Sequence, residues 1–170
     1  MTAQSPNPSM TRVRPARFFL PLTACLLSFV PACLAQTNVL TVVPPETIKA
    51  KAGSTVSAKL TLQLSAGYHV NSNTPSEEYL IPIKLTWIPG ALSGAEVKYP
   101  KAQMEKMPFA DKPLSVYTGQ FDIATDFKVS TTALPGPTAI SGKLRYQACN
   151  DRMCLAPKTV DVALQVDVVK

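Results

Sequence analysis

The fold class is decided by the stretch VSAKLTLQL, residues 56–64. Apolar and polar side chains alternate over its nine positions, with valine, alanine and three leucines on one parity and polar residues on the other. Successive side chains of a β-strand point to opposite faces of the sheet. The stretch therefore predicts a half-buried strand, and residues 159–168 repeat the pattern near the end of the chain.

The rest of the chain adds further short strands and no amphipathic helix. Residues 36–45 form a short lead in which two prolines discourage helix, and residues 101–113 predict a loop or a helical turn. Seven or eight strands punctuated by proline and glycine predict an all-β fold, an antiparallel β-sandwich. The additional predicted strands are residues 79–87 (YLIPIKLTW), 96–99, 116–117, 120–123, 126–132 and 140–148.

The beginning of the chain has the layout of an export signal. Arginines precede an apolar stretch at residues 18–34, and small residues at the −3 and −1 positions suit cleavage after Ala35. This predicts a signal peptide at residues 1–35, one domain over residues 36–170, and a periplasmic location.

The segment has two alternative interpretations. A membrane-spanning anchor is disfavoured, because the apolar stretch is short and Pro21 and Pro31 interrupt it. Lipid anchoring stays open, since residues 22–25 (LTAC) have the form of a lipobox and residues 30–33 (VPAC) are a second candidate.

The net charge gives no indication of nucleic-acid binding. The formal charge of +6 falls to +3 without residues 1–35, because Arg12, Arg14 and Arg17 leave with that segment and no acidic residue does. The remaining lysines are scattered and do not interleave with aromatic side chains. A nucleic-acid partner, which needs a clustered basic surface, is therefore not predicted.

Two cysteines remain once the signal is set aside. Cys25 and Cys33 lie in the predicted signal, whereas Cys149 and Cys154 lie in YQACNDRMCLAP, residues 146–157. An exported chain enters an oxidising compartment, where such a pair can form a disulfide. Across a four-residue hairpin loop, opposed Cβ atoms lie about 4.5–5.5 Å apart and a disulfide needs about 3.5–4.5 Å, so the pair can close.

The pair has three candidate roles. As a structural clip it would close a loop of about six residues and remove only about 2 kcal/mol of unfolded-state entropy. A metal site is not predicted, because His69 is the one histidine of the chain and lies far away in sequence. Without a base beside a nucleophile, hydrolytic catalysis is not predicted either, and His69 is expected to be a hydrogen-bonding core or turn residue.

A redox centre is the third role. Arg152 lies inside the loop, where its charge can lower the pKa of a thiol, while Asp151 acts in the opposite direction. A disulfide at a loop tip is also within reach of an attacking thiolate. The residues alone leave the clip and the redox centre open.

The parity of the apolar side chains predicts an irregularity after the hairpin. Leu144, Tyr146 and Ala148 form an even-numbered apolar face. If residue 149 pairs with residue 154, every even-numbered residue of the first strand faces an odd-numbered residue of the second. The core-facing residues after the hairpin should then be odd-numbered, yet the apolar residues there, from residue 160 onward, are even-numbered. A one-residue bulge within residues 155–159, naturally at Pro157, reconciles the two.

YQACNDRMCLAP resembles the active-site hairpin of the N-terminal periplasmic domain of the thiol:disulfide interchange protein DsbD. Residues 67–73 (GYHVNSN) and 79–87 resemble upstream segments of that family, and residues 99–100 and 116–119 follow in family order. The resemblance covers residues 40–168. It implies an immunoglobulin-like β-sandwich that carries a redox-active cysteine pair and acts as a thiol–disulfide oxidoreductase.

The resemblance also implies roles for individual residues. Cys154 would be the thiolate that attacks partners, and Cys149 the resolving thiol. The family shields its disulfide with an aromatic side chain from a cap loop, and Tyr117 is the candidate here, with core packing as the equal alternative. Two departures are a cysteine spacing one residue shorter than in the best-known relative and apolar or neutral residues, 114–116, where that relative has acidic ones.

Partners follow from the same resemblance. A thioredoxin-like donor and a membrane electron importer are expected in trans, and disulfide isomerases or cytochrome-maturation thioredoxins are the expected acceptors. No cofactor and no metal are predicted. The alternative function is a non-catalytic interaction module, lipid-anchored or free, whose hairpin disulfide is only structural.

Overall fold

A computed structural model describes residues 38–169, so the signal peptide predicted at residues 1–35 lies outside the described part. No helix among the described residues is long and apolar enough to cross a membrane. Twelve strands make up this part of the chain: β1 Leu40–Val42, β2 Ile48–Lys51, β3 Thr55–Leu64, β4 His69–Asn71, β5 Lys84–Trp87, β6 Leu92–Lys98, β7 Gln103–Glu105, β8 Leu114–Thr118, β9 Gln120–Val129, β10 Gly136–Tyr146, β11 Ala148–Cys149 and β12 Lys158–Val169.

The strands form three four-stranded sheets. The first sheet has the order β1-β3-β9-β6, the second β2-β12-β10-β5 and the third β11-β4-β8-β7. All strand pairs within them are antiparallel apart from β2 with β12, which is parallel. The predicted all-β fold with an antiparallel sandwich is therefore confirmed.

The core lies between the sheets. Ala58 and Phe127 of the first sheet pack in one buried cluster with Ile140 and Leu164 of the second. A second cluster joins all three sheets, and its members include Leu62, Leu144, Val70, Tyr117 and Ala148. The third sheet is thus held against the sandwich by apolar contacts. These contacts fix the position of β11 and of the other strands of that sheet.

Strong alternation predicted strands well. The stretch that decides the fold class is β3, in which Leu60, Leu62 and Leu64 are buried, and residues 159–168 lie within β12. Residues 120–132, predicted as two strands, are largely one strand, β9. The total of twelve exceeds the seven or eight predicted.

Short strands account for most of the errors. The predicted lead contains β1, which pairs with β3, and β2 was not predicted either. The predicted loop at residues 101–113 contains β7, and only the last four residues of the run 79–87 are a strand. Strands of three or four residues are formed by pairing with a longer neighbour, so their own sequence carries little periodicity.

The hairpin of β10 and β12 changes character at Tyr146. From Gly136 opposite Val168 to Tyr146 opposite Lys158 the two strands pair without interruption. Beyond that point two residues, 147–148, stand opposite three, 155–157, before Cys149 pairs with Cys154. The predicted one-residue bulge is therefore confirmed.

The bulge lets the hairpin tip change sheets. β10 belongs to the second sheet, whereas β11 pairs with β4 of the third sheet. Strands commonly turn corners between sheets at bulges, because the extra residue bends and twists the ladder. The cysteine hairpin is consequently carried out of the sandwich and onto the edge of the third sheet.

Candidate active site

The two cysteines form a disulfide at the hairpin tip. The Sγ atoms of Cys149 and Cys154 are bonded at 1.99 Å, and their Cα atoms lie 3.9 Å apart. The flanking backbone hydrogen bonds run from Asn150 N to Met153 O at 2.9 Å and from Leu155 N to Ala148 O at 2.8 Å. Cys149 and Cys154 therefore occupy a non-hydrogen-bonded pair, the position at which antiparallel strands come closest.

The turn between them is held by one side chain. Asn150 Oδ1 accepts hydrogen bonds from the backbone N–H groups of Arg152 and Met153, both at 2.9 Å. An asparagine at the start of a turn commonly satisfies the turn's amides in this way. Asp151 and Arg152 form the exposed tip of the turn that the disulfide closes, so the side chain of Arg152 lies in solvent. Its tuning of a thiol pKa stays a prediction.

The two cysteine residues differ sharply in exposure. Cys149 is only 1% exposed, because β11 is covered on both faces, whereas Cys154 is exposed to solvent. An incoming thiolate therefore reaches Cys154 without rearrangement of the sheet and does not reach Cys149. This difference between the two cysteines has no counterpart in their sequence spacing.

His69 stands directly opposite Cys149. β11 pairs with β4 so that Cys149 faces His69, and β4 pairs with β8 so that His69 faces Thr118. These residues form one row across the third sheet, and their side chains share one face. His69 is 4% exposed, which agrees with the core position expected for it. Its proximity to a cysteine was not predicted, because 80 residues separate the two in sequence.

The surroundings of His69 set its protonation. Burial lowers the pKa of His69 below its ordinary value, and the negative charge of Glu105 acts in the opposite direction. A cavity of about 260 Å³ borders this row and reaches the hairpin turn. It is lined by side chains that include Tyr68, His69, Glu105, Met107, Thr118 and Asp151.

Tyr117 lies in the neighbouring row. The pairing of β8, β4 and β11 aligns Tyr117 with Val70 and Ala148, so its side chain points to the face opposite that of Cys149. The ring is 3% exposed and stacks on Phe121 with centroids 4.8 Å apart. These are the contacts of a core residue, one of the two roles considered for Tyr117, and shielding of the disulfide stays a prediction.

The hydroxyl of Tyr117 is also engaged. It lies 2.8 Å from Asn73 Oδ1 and 3.0 Å from Pro100 O, and it can donate to either acceptor. Burial raises the pKa of Tyr117, so the phenol is held in its neutral form at physiological pH. The side chain is therefore fixed at both its ring and its hydroxyl.

Buried polar groups concentrate in and beside the third sheet. Of the five buried polar residues in the described part of the chain, four are here: His69, Asn71, Ser72 and Ser115. Ser72 and Ser115 share a hydrogen bond of 2.8 Å between their hydroxyls. Asn71 Nδ2 donates to Ile81 O at 3.2 Å, but Asn71 Oδ1 has no hydrogen-bond partner among the residues that the structure describes. No group of three His, Cys, Asp or Glu residues suited to a metal occurs in residues 38–169.

Comparisons with known proteins give one family and a set of folds. The family model described as "Thiol:disulfide interchange protein DsbD, N-terminal" matches residues 39–166. The N-terminal periplasmic domain of ScsB from Proteus mirabilis is 16% identical with a TM-score of 0.50, and the match covers 76% of this chain and 44% of that one. The chain thus spans less than half of that relative's length.

A second solved structure is the N-terminal domain of DsbD from Neisseria meningitidis in its reduced form. It is 16% identical with a TM-score of 0.45, and the match covers 68% of this chain and 82% of that one. No curated protein matches the chain. At 16% identity the ScsB structure bears on the fold alone, whereas the family model covers most of the sequence, including Cys149 and Cys154.

Proposed function

Since the chain belongs to the family of the N-terminal domain of the thiol:disulfide interchange protein DsbD, we propose that it is a periplasmic thiol–disulfide exchange domain. Its immunoglobulin-like sandwich would present the Cys149–Cys154 pair to thioredoxin-fold proteins. Reducing equivalents would come from a thioredoxin-like donor supplied by a membrane electron importer. The acceptors would be exported proteins of the disulfide-isomerase or cytochrome-maturation class, and residues 1–35 would direct export.

The proposed reaction has two exchange steps. In the reduced protein the Cys154 thiolate attacks a partner disulfide, so that a Cys154–partner bond forms and the partner's second sulfur leaves as a thiolate. The Cys149 thiolate then attacks Cys154 Sγ, the partner departs with both sulfurs reduced, and the Cys149–Cys154 bond forms. Two electrons pass to the partner, and a reduced donor restores the pair by the same steps in reverse.

The observation that carries the proposal is the difference in exposure between the two cysteine residues. An attacking and a resolving thiol must differ in access, since the first meets the partner and the second meets only Cys154. Cys154 is exposed and Cys149 is 1% exposed. The exposed cation of Arg152, two residues before Cys154 in the same turn, would favour the thiolate form there.

The energy of the disulfide also favours exchange over a structural role. A loop of about six residues confines the unfolded chain little, so that the bond contributes about 2 kcal/mol. The third sheet already holds β11 through its pairing with β4 and through the buried contacts of Ala148. In the alternative, an interaction module with a purely structural disulfide, the bond would add only this small stabilisation to a strand that is already held in place.

Trapping tests the assignment of the two thiols. With Cys149→Ala, the remaining Cys154 thiolate should form a mixed disulfide with thioredoxin-fold proteins in a periplasmic extract, because the resolving step is removed. The matched variant is Cys154→Ala, which keeps only the buried thiol and should trap little or nothing. Equal trapping by the two variants would contradict the assignment, and no trapping by either would favour the interaction module.

A further inference from the structure

We infer that His69 accepts the proton of the Cys149 thiol, so that this buried sulfur can attack Cys154 as a thiolate in the resolving step. The inference deepens the proposed function and rests on it. It assigns His69 a part in proton transfer that the sequence does not indicate, and it treats the third sheet as part of the reacting site.

The need for a base follows from the burial of Cys149. The thiolate is the reacting form of cysteine, and burial disfavours a charged sulfur. Cys149 is 1% exposed, and its chain neighbour Ala148 is buried as well. The cation of Arg152 lies at the exposed tip of the turn, whereas Cys149 is buried in the sheet. Local deprotonation of Cys149 therefore requires an acceptor within the sheet.

His69 is the acceptor that the register supplies. It is the residue directly opposite Cys149 across the β4–β11 ladder, on the same face of the sheet. Opposed Cβ atoms on antiparallel strands lie about 4.5–5.5 Å apart, a separation that an imidazole and a thiol can bridge by a hydrogen bond. Histidine is also the side chain whose ordinary pKa suits proton exchange near neutral pH.

The surroundings of His69 stabilise both its neutral and its protonated form. Burial keeps the imidazole neutral, which is the form that accepts a proton. Once the imidazole is charged, the carboxylate of Glu105 on β7 stabilises it, since that charge raises the pKa of His69. Asp151 from the hairpin turn and Tyr68 from the segment before β4 are the other titratable residues that line the same cavity.

A buried acceptor without a partner lies on the same face of β4 as His69. Asn71 lies two residues beyond His69, on the same face of β4, and is 1% exposed. Its Nδ2 is tied to Ile81 O, while its Oδ1 has no partner in the described part of the chain. An unpaired buried oxygen is costly, so Asn71 Oδ1 is a site where a new N–H would be stabilising.

The proton balance of the resolving step is complete with these groups. The Cys149 Sγ–H proton passes to His69, the Cys149–Cys154 bond forms, and the bond between Cys154 and the partner breaks. The electron pair of the broken bond leaves on the partner sulfur. That thiolate then takes the proton from the imidazolium, which returns His69 to its neutral form.

The test uses the reduced protein and the small disulfide 5,5′-dithiobis(2-nitrobenzoate), whose leaving thiolate is coloured. Attack by Cys154 should release the first coloured thiolate, and resolution by Cys149 the second. We expect His69→Gln to leave the first phase unchanged and to slow the second by about a hundredfold at pH 7, the scale of general-base catalysis. In this variant the second-phase rate should keep rising with pH up to at least about 8.5, the ordinary pKa of an unassisted thiol.

Two further variants keep the result independent of folding. Glu105→Gln changes an exposed side chain, and it should shift the lower limb of the second-phase pH profile to lower pH, because a charge that raises the pKa of His69 is lost. Glu96→Gln is the matched control, since it removes an exposed carboxylate from β6 of the first sheet, outside the cavity beside His69, and should change neither phase.

The outcomes separate this inference from the function on which it rests. A second phase with the same rate and pH profile in the wild-type protein and His69→Gln, with a normal first phase, would overturn the role of His69 and leave the exchange function standing. The absence of a first phase in the wild-type protein would overturn both. A slowed second phase together with the shifted profile of Glu105→Gln would support the inference.

Discussion

The β10–β12 hairpin has two parts that differ in strand pairing and in packing. Its base, residues 136–146 and 158–168, is an unbroken antiparallel ladder whose inward side chains fill the core. Its tip, residues 147–157, contains a bulge, a two-residue strand and a disulfide, and it pairs with another sheet. The comparison indicates that stability is concentrated in the base and chemistry in the tip.

The neighbours of the two parts differ in the same way. The base packs apolar residues such as Leu144 and Leu164, each 0% exposed, between sheets. The tip lies beside buried polar groups, among them His69 and Asn71 with its unpaired oxygen. Polar groups of this kind are costly in a core that serves only stability, and they concentrate at functional sites.

The largest expected effect is a core deletion in the base. Leu164→Ala removes a fully buried side chain between the two main sheets and should lower the free energy of unfolding by about 3 kcal/mol. Urea unfolding measures the loss, and Gln165→Ala on the exposed face of the same strand should change stability by less than about 0.5 kcal/mol. Similar losses for the two variants would contradict the role of the base.

Reduction of the disulfide should cost less. The bond closes a loop of about six residues, so opening it should lower the free energy of unfolding by about 2 kcal/mol and leave the base folded. Urea unfolding with and without a reductant gives the difference, and hydrogen exchange should show loss of protection confined to residues 147–157. Loss of protection throughout β10 and β12 would show that the two parts are not separable.

Substitutions of Tyr117 distinguish core packing from shielding of the disulfide. Tyr117→Phe keeps the ring and removes a hydroxyl that lies within hydrogen-bond distance of Asn73 and Pro100, so we expect a loss of about 1 kcal/mol in the free energy of unfolding. The rate at which dithiothreitol reduces the disulfide should not change. Tyr117→Leu, which removes the ring, is the companion variant, and faster reduction there would support shielding.

The smallest expected effect is the pH dependence contributed by His69. Its folded-state pKa is lowered by burial, so the unfolded chain takes up the proton first as pH falls through about 6.5. His69 therefore lowers stability below that pH and does not do so above it. His69→Gln should show a smaller loss of stability between pH 7.5 and 5.5 than the wild-type protein, as measured by urea unfolding.

This pH window isolates the residue. His69 is the one histidine in the sequence, and unpaired carboxylates stay ionised at pH 5.5. The lowered pKa values of Asp122 and Asp126 move their titration further toward acid. An unchanged pH dependence in His69→Gln would contradict the burial-lowered pKa.

Much of the base could be predicted from the sequence. The alternation in residues 56–64 and 159–168 predicted β3 and β12, because long strands with one buried face must show a period of two. The same rule located the bulge, since a disulfide pair of mixed parity and an even-numbered apolar set cannot both hold in a regular ladder. Edge strands such as β1 and β7 were not predicted, because their pairing partners determine them.

The candidate site likewise has one part that could be predicted from the sequence and one part that could not. The cysteine pair could be predicted because its two members lie close together in sequence and meet across one turn. The position of His69 opposite Cys149 depends on how the tip of one hairpin joins a different sheet, which no local spacing encodes. The unequal exposure of Cys149 and Cys154 depends on that same junction.

The reduction potential of the Cys149–Cys154 disulfide tests the central claim most directly. Equilibration of the protein with glutathione buffers and with reduced thioredoxin, read by thiol alkylation, gives the value. Exchange predicts a potential above about −300 mV, so that the disulfide is reduced by these partners. A potential below about −300 mV, with resistance to both reductants, would make the disulfide a structural clip and contradict the account.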